Sequence, residues 1–387
     1  MNFPFVLPTR IVMEPGLRSR VGGYLQELKI GRVLIVTDPG IEAAGLLAPI
    51  YSSLEDAGIG FQVTTDVKPN PRSDDCNRVA REHKGSAIEG IVAVGGGSAI
   101  DAAKAIAVLM THDGIIEDYE GENTLSNDPL PLVAIPTTAG TGSEVTFFSV
   151  ITDPARQYKM SLLEVRLAPE LALLDTEVTA QLPAAIAAAT GMDALTHAIE
   201  AYTGKMANPV SDGLALHAIR LISANLIPAV EDRDNQSARE QMMVASLIAG
   251  MAFGNADIAS VHCISEAIGG MYDTPHGVAN SIFLPFVFRH NCDADLARHA
   301  QVAFALGIDP GLSHESAANA AVDLLFSMSQ QLGIPEFSEL PGVKEEDFQS
   351  IAEKSQKNIS NGSNAKEMTV ASYLKIIHQA YNSRAIG

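Results

Sequence analysis

The sequence predicts an α/β domain built on a parallel sheet, followed by an all-α domain, and three observations carry that reading. Strand-like and helix-like segments alternate through the first half, the strands there are near-continuous apolar runs, and from about Leu182 the chain turns to Ala-, Leu- and Ile-rich segments at helical spacing. Arg32 to Thr37 is a β-branched run ending at the turn Asp38-Pro39-Gly40, and Ala48 to Ala57 reads as a helix closed by Gly58. Phe61 to Thr65 is a second strand, Asp74 to Lys84 a polar helix and Gly90 to Val94 a third strand. Ala99 to Met110 is then an apolar helix and Leu130 to Ile135 a fourth strand. Strands apolar on both faces belong to a parallel sheet covered on both sides. Pro183 to Ala189, Asp193 to Tyr202, Val210 to Ile227, Arg239 to Phe253 and Ser316 to Leu332 are the expected helices of the second half. The boundary falls within Leu174 to Pro183, so residues 1–182 form the α/β dinucleotide-binding domain and 183–387 the helical domain.

Composition narrows the function classes. A chain of 387 residues, 47% hydrophobic and 19% charged, has ample material for two cores and is neither disordered nor a small disulfide scaffold. The net charge of −20, without a basic run, argues against binding nucleic-acid phosphates or an anionic membrane surface. Cys76, Cys263 and Cys292 are far apart and form no CxxC, which suits a reducing, cytoplasmic setting. The N-terminus lacks the pattern of a secretory leader, and no apolar stretch is expected to reach the roughly 18 residues of a membrane span.

Between the third strand and the following helix lies Gly95-Gly96-Gly97-Ser98. Glycines let the backbone approach a ligand closely, and the amides and dipole of the next helix attract an anion such as a pyrophosphate. Ser98-x-x-Asp101 could be a capping box, which would account for those two residues but not for three glycines at the carboxyl end of a parallel strand. A second loop, Pro136 to Thr146, carries hydroxyls and glycines that suit a cofactor, though an unliganded turn has the same composition. Asp38 could accept hydrogen bonds from an adenosine ribose and repel a 2′-phosphate, or simply open the turn at Pro39. The acidic residue precedes the glycines, so this is not the usual G-x-G-x-x-G order.

Asp193 and His197 lie four positions apart on a helical segment and share one face. His262 opens another helix-like stretch, and His276 follows in the loop Tyr272 to Gly277. One carboxylate and three imidazoles could hold Fe²⁺ or Zn²⁺ and leave room for an oxygen ligand, but spacing alone favours this no more than a set of ordinary histidines. His83, His112, His217, His290, His299, His314 and His378 are read as surface or satisfied core residues.

Four segments resemble the signatures of the iron-containing (group III) alcohol dehydrogenases: Gly95 to Lys104, Pro136 to Thr146, Gly191 to Tyr202 and Asp273 to Asn280. The resemblance spans essentially the whole chain. It implies metal ligation by Asp193, His197, His262 and His276, with Fe²⁺ expected first and Zn²⁺ also suited. It implies NAD contacts from Asp38, Asn70, Gly97, Ser98, Thr137, Thr138, Thr146, Phe148 and Lys159, with Val178 and Leu182 bordering the site, and Asp38 favours NAD over NADP. The implied activity is hydride transfer between NAD(H) and a small alcohol or aldehyde, a primary alcohol or a diol, in a homodimer or larger homo-oligomer. Many members carry a second histidine where this chain has Glu266, which could move protons, orient a ligand imidazole or lie on a helix surface. The other readings are a dehydroquinate-synthase-like lyase, which would want a Lys- and Arg-rich pocket, and a non-catalytic NAD-binding protein.

Overall fold

The computed structural model describes residues 3–383. The chain divides into two compact units, one of residues 6–138 and 143–182, the other of residues 183 onward with 139–142 and the segment ahead of Val6.

The first unit carries β1 (Arg10–Glu14), α1 (Val21–Glu27), β2 (Arg32–Val36), α2 (Pro39–Ala43), α3 (Ala48–Asp56), β3 (Gly60–Thr64), α4 (Ser73–His83), β4 (Gly90–Gly95) and α5 (Gly97–Thr111). Then follow β5 (Gly121–Glu122), β6 (Leu132–Pro136), β7 (Phe148–Asp153), β8 (Tyr158–Leu163) and β9 (Leu171–Asp175). Six strands form a wholly parallel sheet in the order β1-β9-β6-β4-β2-β3. Side chains alternate across it. Val33, Ile35, Val92, Val94, Val133 and Ile135 pack on one face with Leu17, Val21, Leu25, Ile50 and Leu54, while Leu34, Val36, Ile91, Ala93, Leu132 and Ala134 pack on the other with Val79, Ala80 and the apolar side of α5. Double coverage is why the central strands read as unbroken apolar runs. A second sheet, β5-β8-β7, includes the antiparallel pair β7–β8.

Strand order changes direction between β2 and β4, because the chain goes from β2 outward to β3 and then returns to the other side of β2. Open α/β sheets bind ligands outside the carboxyl ends of the strands at such a reversal. Asp38 follows β2, Gly97 and Ser98 follow β4, and Thr137 and Thr138 follow β6, so three adjacent strands deliver these residues to one edge.

The second unit holds α6 (Ala184–Thr203), α7 (Pro209–Glu231), α8 (Gln236–Phe253), α9 (Ser260–Tyr272), α10 (His276–Asn291), α11 (Leu296–Ala305), α12 (His314–Gln331), α13 (Phe348–Lys357) and α14 (Val370–Asn382). The segments expected as two helices at Pro183 to Ala189 and Asp193 to Tyr202 are the single helix α6, since Thr190 and Gly191 do not interrupt it. His276 is the first residue of α10, not a loop residue as expected. By length and composition alone α7 would be long enough to cross a membrane, contrary to the expectation that no segment would; it packs against α6 and α8.

Asp175, at the end of β9, is fully buried and accepts from the amides of Gly16, Arg18 and Glu177 and from Arg18 Nη1 at 2.6 Å. Arg18→Ala leaves that carboxylate without its cation, which typically costs about 3–5 kcal/mol. A urea denaturation series should show that loss, whereas Arg10→Ala, in an exposed pair with Glu27, should change stability by under about 1 kcal/mol.

Candidate functional site

In the helical unit, α6 places Asp193, His197 and Glu200 on one face at helical spacing, α9 supplies His262 in its first turn, and α10 begins at His276. Gly277 lets α10 start so close to α6: a Cβ there would lie 2.3 Å from the carbonyl oxygen of Ala189. Asp193 Oδ1 is 3.7 Å from Nε2 of both His262 and His276, and the donor atoms of the three residues lie within 4.8 Å of one another. Ligand atoms about 2.1 Å from a common ion in tetrahedral array stand about 3.4 Å apart, so this spacing suits a shared cation.

Asn280, one turn along α10, aims Nδ2 at all three: Asp193 Oδ1 at 2.6 Å, His262 Nε2 at 3.1 Å and His276 Nε2 at 3.1 Å. An amide nitrogen has two hydrogens. With both Nε2 atoms bare, three acceptors would meet a group that can satisfy two, and the same three residues could hold a cation. His197 stands beside this trio, its ring stacked between Phe253 (4.1 Å between centroids) and His262 (4.5 Å), with Nδ1 buried and without a hydrogen-bond partner among the described residues.

Electrostatics favour positive charge here. Burial would push the Asp193 carboxyl up, but the His197, His276 and His262 imidazoles hold it well below the usual carboxylate range. Burial lowers His197 to about 4, which leaves its ring neutral and able to donate a lone pair. His262 is raised to about 10: burial opposes this, and the Glu200 and Asp193 carboxylates overcome it. The same field attracts a proton or a metal ion.

Glu200 is a buried partner of this cluster that sequence reasoning missed. Buried one turn from His197, it accepts from His262 Nδ1 at 2.5 Å and from the amides of Ala259 at 2.9 Å and Val261 at 2.7 Å. With its hydrogen on Nδ1, His262 turns Nε2 toward Asp193, the arrangement that orients metal-ligating imidazoles. Its position three residues after His197 was a readable signal. Glu266 is not on a helix surface: it is buried and accepts from Asn358 Nδ2 at 2.5 Å. His112 is a satisfied core residue, bonding through Nδ1 to Val108 O and accepting at Nε2 from the Asn127 amide.

The other expected residues lie in the α/β unit. Asp38 caps α2, with Oδ1 accepting from the Gly40 and Ile41 amides, so the turn reading holds for that oxygen; Oδ2 lies toward Gly95. Gly95 has φ +153°, and a Cβ would meet that of Ala99 at 2.6 Å. Among the described residues, no side chain caps α5. The capping box at Ser98 is thus not formed, and Asp101 bonds instead to Ser143 Oγ and the Val150 amide. The N-terminal amides of α5, including those of Gly97 and Ser98, face the carboxyl edge of the sheet. Asn70 is buried with φ +53°, in the connection that follows β3. Thr137 donates its amide to Gly95 O at 3.0 Å, and Thr138 lies against Gly96. Thr146 is buried ahead of β7, Phe148 opens β7, and Lys159 is buried on β8. Val178 starts a short 3-10 turn after β9, and Leu182 ends it.

Residues 8–176 match the family model described as iron-containing alcohol dehydrogenase, and residues 187–381 match that of the Fe-containing alcohol dehydrogenase family, C-terminal. The chain belongs to the iron-containing alcohol dehydrogenase family. It is 40% identical over 382 residues to the 1,3-propanediol dehydrogenase of Klebsiella pneumoniae, covering 98% of this chain and 99% of that protein. To the NAD-dependent methanol dehydrogenase of Bacillus methanolicus it is 37% identical over 377 residues, 97% of this chain and 99% of that one. The crystal structure of a 1,3-propanediol oxidoreductase superposes with a TM-score of 0.94 at 40% identity, covering 98% of this chain and all of that one. An α/β domain with a parallel sheet and an all-α domain, as the sequence predicted, is the architecture of this alcohol dehydrogenase family.

Glu200→Gln should weaken metal binding by about 10- to 100-fold in competition with a chelator, by loosening the orientation of His262. In the same assay Gly277→Val should also weaken it, because α10 must move away from α6, while Glu231→Gln should not.

Proposed function

We infer that this iron-containing alcohol dehydrogenase is a metal-dependent oxidoreductase that moves a hydride between NAD(H) and a small alcohol or aldehyde, a primary alcohol or a diol. The observation that carries the reading is the convergence of Asp193, His262 and His276 on one point, in a chain whose relatives include a protein named as an NAD-dependent methanol dehydrogenase. We assign the metal to Asp193, His197, His262 and His276, with Fe²⁺ as the resident ion and Zn²⁺ as a competitor that the Irving–Williams order favours in affinity. One carboxylate and three neutral imidazoles suit a divalent ion and leave one net positive charge. When bound, such a cation acidifies a hydroxyl, as Zn²⁺ takes water from 15.7 to about 7, worth about 12 kcal/mol at 1.36 kcal/mol per unit.

The chain's own residues position the reactants. Glu200 fixes His262, and burial keeps His197 neutral. In the α/β unit the uncapped first turn of α5 offers amides and a helix dipole to the pyrophosphate of NAD, and Gly95 keeps the approach clear. Asp38 Oδ2, on the Gly95 side, suits ribose hydroxyls and repels a 2′-phosphate. Asn70, Gly97, Ser98, Thr137, Thr138, Thr146, Phe148 and Lys159 are the further contacts we assign to NAD, with Val178 and Leu182 at the border. We assign residues 1–182 to NAD binding and 183–387 to the metal and substrate. The charge of −20 fits a protein that acts on a small molecule without nucleic acid or membrane, in the cytoplasm. Met206, 61% exposed, and Val210 nearby in the chain give the helical unit apolar surface that suits a homo-oligomer.

Purified protein should oxidise short alcohols and diols with NAD, lose that activity on complete chelation and regain it with Fe²⁺ or Zn²⁺; activity indifferent to full metal removal would contradict the reading. Asp38→Asn keeps the cap of α2 but removes the charge. It should narrow the preference for NAD over NADP, measured as the ratio of kcat/KM values, by about tenfold, or about 1.4 kcal/mol.

A further inference from the structure

Lys104 is one of the largest fully buried side chains of the protein, 1% exposed, and it lies on α5 within the α/β unit. Burial of an ammonium is costly unless its hydrogens are used. Here Nζ donates to the carbonyl oxygen of Thr146 at 2.8 Å and to that of Phe148 at 2.7 Å, with Ser143 Oγ at 3.3 Å and Thr146 Oγ1 at 3.4 Å. One helical turn earlier, Asp101 takes the Ser143 hydroxyl and, at 3.1 Å, the Val150 amide, while its own carbonyl accepts from Ser149 Oγ at 2.9 Å. Two side chains of α5 thus hold both ends of the segment Ser143–Val150, whose backbone is turn and irregular until β7 begins at Phe148.

The pair is more than a volume filler. A buried ion pair serving only to fill space is typically replaceable by apolar residues without loss. Lys104 instead spends its donors on main-chain carbonyls to either side of Phe147, so removing it strands those acceptors and frees the segment. Burial lowers its ammonium to about 8, offset in part by the Asp101 and Glu144 carboxylates, so the charged form prevails at neutral pH.

We propose that Asp101 and Lys104 are positioning residues that clamp Ser143–Val150 to the helix behind the phosphate loop and thereby hold Thr146 and Phe148 in place for the dinucleotide. This rests on the assignment of NAD to the α/β unit. We assign the clamp no contact with the cofactor or the reacting atoms; it sets cofactor affinity through the segment it holds.

The test compares Lys104→Met with the wild-type holoenzyme, measuring NADH binding by fluorescence titration, KM for NAD, kcat at saturating NAD, KM for the alcohol and metal per chain. The expected result is an NADH Kd and NAD KM raised tenfold or more, with kcat, alcohol KM and metal content within twofold. A folded Lys104→Met that loses kcat and metal content together with NADH affinity overturns the clamp as a device selective for the cofactor. An unchanged NADH Kd in Lys104→Met, beside a wild type that binds NADH, overturns the clamp and leaves the NAD assignment standing. A wild type that binds no NADH overturns that assignment. Should Lys104→Met not fold, Ser143→Ala decides, since it removes the hydroxyl that Asp101 and Lys104 share and leaves the ammonium its two carbonyls: NADH binding weakened threefold or more supports the clamp, and unchanged binding overturns it.

Discussion

Buried carboxylates must be answered by positive charge or by hydrogen-bond donors, and the helical unit is arranged around two of them. Asp193 and Glu200 lie on the same side of α6. Glu200 is answered by the His262 ring and two amides at the start of α9, where unsatisfied N–H groups and the helix dipole favour an anion. Asp193 is answered by imidazoles from α6, α9 and α10 and by Asn280. Satisfying both charges fixes where α9 and α10 begin relative to α6. That fixes the donor cluster, and the small residue at Gly277 follows from it.

The α/β unit meets a different constraint with backbone groups. Its parallel strands end on one edge, and at the reversal between β2 and β4 the chain offers an uncapped helix start and a glycine that no side chain could replace without meeting Ala99. Charge enters this unit behind that edge, where Asp101 and Lys104 organise the segment leading into β7. One unit gathers side chains that could hold a cation and the other presents an uncapped helix start at a sheet edge, each by the ordinary rules for buried polar groups.

Much of this was legible in the sequence. The strands β2, β4 and β6 show as continuous apolar runs because both faces of each are covered, and α5 follows its glycine loop directly. By contrast β9, Leu171–Asp175, is rich in Leu and Ala, which carry no strong strand preference, so only its pairing with β1 and β6 reveals it. Helical spacing puts Asp193 and His197 on one face, whereas His262 and His276 could be named only as candidates beside them, since no local pattern links residues so far apart. Glu200 and Lys104 escaped because a charged residue in a helix reads as solvated until the fold buries it. Asp101 misled for the opposite reason: its spacing from Ser98 fits a cap, but partners 42 and 49 residues away take its carboxylate.

The most direct measurement is anomalous diffraction at the iron edge from crystals of Fe²⁺-loaded protein grown without air. A single peak about 2.0–2.2 Å from Asp193 and from the His197, His262 and His276 rings is the result this account requires. A peak bonded to other residues, with these four side chains left unligated, would contradict it.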